Sequence, residues 1–293
     1  MSITNGVLTI LPAPAGYEVD FEHPRRIGIP ETYWVVGVGN AISILFFAQR
    51  IYTKIAILRK FSWDDAFFVL SWACCVAVQV LCCHLYGSGS MGVHAWEIPI
   101  QKYSQFSLLV MISSAVYAPG TCFAKLSLLC FYYRLTAIRW FRLSTLFMVF
   151  FVVGGYLGIF FSLIFGCNPV QKTWDVTVQG TCINTAALYI ATAVLGVVSD
   201  LLLLAMPIPI VLGLQLRTFQ KAGIILLFVI GSMTLVTSIV RLVLLFPMLV
   251  DFDQTWAVVD PFTWICVEAN LLVVCASLCT LRKFVLTMCP RLM

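Results

Sequence analysis

The stretch LFMVFFVVGGYLGIFFSLIF, residues 146–165, holds twenty residues without one charge. A helix needs about 20 mostly apolar residues to cross the hydrocarbon of a bilayer. Alternating polarity would mark a barrel strand, but this run is apolar throughout, so it reads as a membrane-spanning helix. Working outward, six further stretches read the same way. The expected spans are 33–53, 64–86, 104–132, 143–166, 185–212, 222–247 and 261–281. The fold class expected is an all-α seven-transmembrane helix bundle, residues 33–282, with an N-terminal tail (1–32) and a short C-terminal tail (283–293).

The remaining charges sort by side. Arg50, Lys54, Arg59, Lys60, Arg134, Arg139, Arg142, Arg217, Lys221, Arg282, Lys283 and Arg291 fall on one side of the spans. Arg25, Arg26, Lys102 and Lys172 fall on the other. The positive-inside rule then puts the N-terminus outside and the C-terminus in the cytoplasm. Trp34, Trp96, Trp174 and Trp256 fall near the expected outer boundary, with Trp63 and Trp140 near the inner one, as an aromatic belt requires.

The chain is 61% hydrophobic and 11% charged, beyond the range of a soluble domain. Its net charge of +5 comes from the inner loops and gives no reason to expect nucleic acid as a partner. The partner expected is the lipid bilayer of a plasma membrane or endomembrane. The N-terminal stretch lacks a basic region before its short apolar run, so the first span is expected to act as the targeting signal. No Asn-x-Ser/Thr sequon occurs.

Most of the twelve cysteines lie in spans, and Cys74, Cys75, Cys122, Cys130, Cys266, Cys275 and Cys279 read as small core residues. Cys167 and Cys182 share the loop between spans 4 and 5, on the side that permits disulfides. A bond there would close a small loop, worth roughly 3 kcal/mol in the entropy model. Cys82 and Cys83, at the outer end of span 2, are competing partners. Cys289 beside Arg291 is a candidate palmitoylation site.

Four ionisable groups lie deep in spans, where each charge costs roughly 2.5–3.5 kcal/mol to insert: Lys125, Asp200, Arg241 and Glu268. Depth along the helices pairs Arg241 with Glu268 and Lys125 with Asp200. Such pairs neutralise buried charge and fix helix register. They could also line a polar cavity for a ligand, together with Asn270. Pro119-Gly120 is expected to interrupt span 3, and Pro207 and Pro209 to kink the inner end of span 5. The outer segment YGSGSMGVHAWEIP, residues 86–99, carries His94, Trp96 and Glu97 and reads as a structured loop plugging the bundle mouth. His84 and Cys83 lie near, but their spacing is irregular for metal ligands and no metal site is expected there.

These segments together resemble the fungal rhodopsin-domain family. The others are FSWDD (61–65), KLSLLCFYYRL (125–135), CNPVQKTWDVTVQGTCIN (167–184), SDLLLLAMPIPIVLGLQLRTFQKAGIILLF (199–228), VTSIVRL (236–242) and WICVEANLLVVCASLCTLRKF (264–284). The resemblance covers about residues 30–285. It implies seven helices and maps family-motif positions onto Asp64, Asp65, Gly87, Gly89, His94, Trp96, Lys125, Cys167, Trp174, Cys182, Asp200, Pro207, Pro209, Arg241, Glu268 and Asn270. The family includes receptor-like orphans and membrane proteins encoded in toxin gene clusters. This chain lacks the cysteine-rich extracellular domain many receptor-like members carry, and Cys279 stands where the last helix usually has proline. With about ten residues after the last span, coupling to a G protein is expected to be weak. Retinal is not expected, because a Schiff base needs a lysine inside helix 7 and Lys283 lies only at its boundary.

The expectation is therefore a receptor-like membrane protein sensing a lipophilic or extracellular small molecule. The alternative is a membrane-embedded enzyme or accessory protein of a fungal secondary-metabolite pathway, with Asp200 or Glu268 as a buried general acid. A transporter ranks lower, since no inverted repeat is evident.

Overall fold

The structure, a computed structural model, describes residues 2–4, 6–135, 138–209, 218–247 and 253–288. Arg217, Cys289 and Arg291 lie outside the described residues, as do the side chains of Lys221, Arg282 and Lys283.

Among the described residues seven helices are long and apolar enough to cross a membrane. They are α1 (Ile29–Tyr52), α2 (Trp63–Gly87), α3 (Ile100–Leu135), α4 (Arg139–Ile164), α5 (Thr185–Ala205), α6 (Thr218–Leu245) and α7 (Val259–Met288). A single turn, Gln254–Ala257, precedes α7. Local chemistry sets several ends. Pro30 in the first turn of α1 starts that helix four residues before the expected boundary, where a missing N–H costs nothing. A π-helical turn, Thr53–Ile57, carries α1 further. Ser62 N–H donates to Asp65 Oδ2 at 3.1 Å at the start of α2. Asn184 Oδ1 accepts the Ala187 N–H at the start of α5.

One of the two expectations about helix breakers needs correction. α3 runs unbroken through Pro119, and Gly120 serves instead for close approach, since a Cβ there would press on Cys74. α5 stops at Ala205, a turn covers Met206 and Pro207, and helix resumes at Ile208–Pro209, so the chain breaks at Pro207 as expected.

α7 is the central staff of the bundle, packed on α1, α2, α3 and α6. α2 packs on α3, α3 on α4 and α5 on α6. Three apolar clusters fill the interior: one around Tyr86, Phe106 and Phe262, one around Leu129, Phe141 and Val152, and one around Phe68, Leu128 and Ala276. The outward face of α4 bares Leu143, Phe147 and Phe150 at 69%, 69% and 75%. Such a face is stable against lipid and would aggregate in water. Cys74 and Cys130 are only partly buried, less than a core reading expects, whereas Cys279, also partly buried, packs against the cluster around Phe68.

At one end of the bundle, here called the mouth, lie the N-terminal tail and the loops α2–α3, α4–α5 and α6–α7. In the tail, strands β1 (Ser2–Thr4) and β2 (Val7–Thr9) form an antiparallel ribbon. In the α4–α5 loop, β3 (Cys167–Asn168) pairs with β4 (Thr181–Cys182), and Cys167 is disulfide-bonded to Cys182. Cys82 and Cys83 stay free.

Candidate functional site

The buried charges meet in the middle of the bundle. Lys125 Nζ, on α3, lies 2.8 Å from Asp200 Oδ1 on α5. It also donates to Ser199 Oγ at 2.5 Å and to the Gly196 carbonyl at 3.2 Å. From α6, the Ser238 hydroxyl donates to the other carboxylate oxygen, Asp200 Oδ2, at 2.7 Å. Arg241 Nε donates to Glu268 Oε2 on α7 at 2.8 Å, and the Tyr117 hydroxyl on α3 donates to Glu268 Oε1 at 2.7 Å. None of the four charged residues is more than 5% exposed.

The two pairs are neighbours. Ser238 and Arg241 stand three residues apart on α6, about 4.5 Å of helix rise. A Cβ on Gly196 would sit 3.0 Å from Arg241 Nη2, so the glycine lets the guanidinium pass against α5. Four helices are thus joined by a neutral set of two cations and two carboxylates. A tyrosine ring faces each cation, Tyr117 at 5.2 Å from Arg241 and Tyr156 at 5.6 Å from Lys125.

Asn270 belongs to a different set. Its Oδ1 accepts from Gln79 Nε2 at 3.0 Å, and Gln79 Oε1 accepts from Asn40 Nδ2 at 2.7 Å. This amide ladder ties α1, α2 and α7. Beside it, a small cavity walled by Cys75, Tyr117, Thr121 and Leu272 has room for about one water molecule.

The mouth brings together most of the outer-loop residues. His94 is sandwiched between Trp96 and Trp256, ring centroids 4.4 and 3.8 Å away and nearly parallel. Its Nδ1 lies 2.6 Å from Asp253 Oδ2, and Asp253 Oδ1 accepts the Ala95 N–H. Glu97 Oε1 accepts the Tyr17 hydroxyl of the tail at 2.6 Å. That carboxylate, with a smaller part from burial, holds the Tyr17 phenol above its ordinary pKa, and Arg25 pulls the other way. Trp174 sits apart, at the end of a short 3-10 turn in the α4–α5 loop. Among the described residues no ring contact joins it to His94 or Trp96.

Sequence reasoning missed a third charge cluster, at the far end. Arg50 and Lys54 counted as loop charges, yet Arg50 is 2% exposed. Arg50 Nη2 lies 3.2 Å from Asp64 Oδ2 and 3.1 Å from Asp65 Oδ1. Lys54 Nζ bridges the same two carboxylates at 2.9 and 2.8 Å, and Arg134 reaches Asp64 Oδ1 at 2.9 Å. Arg50 Nη1 also donates to the Ala276 carbonyl of α7 at 2.6 Å. The signal available was FSWDD, two adjacent acids opening a span just after a span that closes with two bases.

The residues present have no grouping of three or more metal-ligating side chains among those described. Comparison with known proteins gives a coherent family. The model of the fungal rhodopsin domain matches residues 49–287. A SAT4 family membrane protein of Emericella nidulans is 32% identical over 190 residues, 64% of this chain and 47% of the relative. The polyenoic acids biosynthesis gene cluster protein Ba17b of Metarhizium anisopliae is 24% identical over 262 residues, 84% of this chain and 71% of the relative. Satratoxin biosynthesis SC1 cluster protein 4 of Stachybotrys chartarum is 26% identical over 164 residues, 55% and 59% of the two chains. The match spans about half the length of the first of these. No solved structure matches the chain.

Proposed function

Because the chain belongs to the fungal rhodopsin domain family, we propose that it is a receptor-like multi-pass membrane protein sensing a lipophilic or extracellular small molecule. The observation that carries the reading is the buried four-charge set linking α3, α5, α6 and α7. Each pair crosses between helices, so a ligand that separates one pair must move one helix against another. A ligand acts this way only through different affinity for the two arrangements. The charge asymmetry of the loops supports a mouth facing outside and a far end facing the cytoplasm. Arg59 and Arg139, exposed at the far end, would meet the cytosolic partner, with a G protein as the weaker candidate.

A second reading draws on the relatives. Two of them are named for biosynthetic gene clusters, which favours an enzyme or accessory protein in a secondary-metabolite pathway. Catalysis by Asp200 or Glu268 as general acid is the less favoured form of it. A carboxylate held by a cation only accepts hydrogen bonds and has no proton to give.

The experiment is complementation of a null strain with the wild-type chain or with Arg241→Gln. The sensing reading expects the variant at normal membrane level and the transcriptional response lost. Accumulation of a pathway intermediate in the null strain, with the response intact, would instead establish the pathway role. A normally folded Arg241→Gln that supports every phenotype leaves the pair only a register function and overturns the sensing reading.

A further inference from the structure

The contact of Tyr17 with the mouth has the form of a bound ligand. Tyr17 reaches in from an exposed stretch of the tail, with Gly16 and Glu18 beside it both exposed. Its phenol ring meets Trp96 edge-on at 5.9 Å and His94 at 6.3 Å. Its hydroxyl donates to Glu97 Oε1 at 2.6 Å. The receiving surface is also held by contacts outside the tail. Glu97 is 4% exposed and its N–H is turned onto the His94 carbonyl, while His94 is clamped by two indoles and Asp253.

The site also offers more than Tyr17 uses. Glu97 Oε2 is buried with no hydrogen-bond partner, while the Trp96 indole N–H is turned toward the Tyr17 hydroxyl and pulls its pKa down. A buried polar atom left unmade costs about 1–3 kcal/mol, so Glu97 Oε2 marks an incomplete set of partners at this contact.

We propose that the pocket formed by His94, Trp96 and Glu97 is a binding site for small phenolic compounds, and that Tyr17 is its tethered occupant. The phenol ring takes the place of the Tyr17 ring, and one hydroxyl takes Glu97 Oε1. A second, adjacent hydroxyl donates to Glu97 Oε2, which makes a catechol the better fit. Its arrival frees the Tyr17 segment of the tail, while Ile27 N–H stays on the Gly92 carbonyl. The proposal deepens the sensing reading above by naming a ligand class, and rests on it only for the consequence of binding. A tethered side chain competes at an effective concentration in the millimolar range for a short flexible link. Removing it should therefore strengthen binding of a free phenol.

The test uses the full chain in lipid nanodiscs, with catechol and p-cresol as probes and 4-methylanisole, which has no hydroxyl, as control. Saturable change in tryptophan emission is read against empty nanodiscs. Tyr17→Ala should bind catechol at least about tenfold more tightly than the wild type and more tightly than p-cresol, with no saturable response to 4-methylanisole. Glu97→Gln in the Tyr17→Ala background should abolish the effect. Should that variant not fold, Trp96→Phe, which keeps an aromatic ring but removes the indole N–H, should weaken catechol binding instead. A folded Tyr17→Ala protein without saturable binding overturns the proposal, as does binding unchanged by Glu97→Gln or by Trp96→Phe. Phenol binding without any downstream response would overturn the sensing reading alone.

Discussion

Arg50 on α1 and Asp65 on α2 lock the two helices together at the far end, guanidinium to carboxylate at 3.1 Å, with Asp65 wholly buried. Arg50 holds Asp64 as well and donates to Ser127 on α3 and to the Ala276 carbonyl on α7, so one side chain ties four helices. Its ring neighbour Phe68 lies 4.4 Å below the guanidinium.

Removing one member of a buried pair strands the other charge, at about 3–5 kcal/mol. Arg50→Met should therefore cause large loss of monodisperse protein in detergent and a marked fall in melting temperature. Arg134→Met, taking a half-exposed partner from the same cluster, should cost about 1 kcal/mol or less. Equal losses from the two would contradict the assignment of Arg50 as the keystone.

Lys125 and Asp200 permit a cleaner experiment, because a double variant can remove both charges. Lys125→Met and Asp200→Leu should each destabilise by about 3–5 kcal/mol, while the double variant should recover most of the loss. Additive losses, measured by thermal unfolding in nanodiscs, would mean that the two do not stabilise each other.

Gly39 stands where α1 touches the amide ladder. A Cβ there would collide with the Asn270 amide nitrogen, which already donates to the Cys266 carbonyl. Gly39→Ala should cost about 1–3 kcal/mol, the usual range for overpacking. Gly37→Ala, two residues away with open space around its missing Cβ, should be neutral or slightly stabilising. The pair compared by melting temperature isolates the ladder contact from general helix propensity.

Much of this architecture is written in hydropathy. The spans emerge because lipid demands long apolar runs, and a charge inside one must find a partner at similar depth. Depth alone matched Lys125 with Asp200 and Arg241 with Glu268, and those are the groups at 2.8 Å. The same reasoning passed over Arg50 and Lys54, since a charge at a span boundary costs little and needs no explanation. Lys54 reaches Asp64 and Asp65 from the π-helical turn after α1, and Arg50 from the last turn of α1 itself. Tyr17 was invisible for a different reason. The tail has no periodicity, and nothing local says that it folds back onto a loop eighty residues on. Asp253, the partner of His94, likewise comes from a loop that only the packing of α7 brings near.

The α4–α5 loop offers the last prediction. Its disulfide closes a sequence separation of 15 residues, for which the loop-entropy model gives roughly 3 kcal/mol. Two-residue strands cannot hold that hairpin unaided, since isolated ribbons are marginal even when longer. Lys172, which donates to the Gly180 carbonyl, adds one exposed contact. Cys167→Ser with Cys182→Ser should therefore loosen the loop. Proteolysis between 170 and 181 should then proceed much faster than in the wild type, while the helical bundle keeps its far-ultraviolet signal. Cleavage requires the protease at the mouth, so applying it only outside intact cells also tests the proposed orientation. A loop cut from the cytosolic side alone would reverse it.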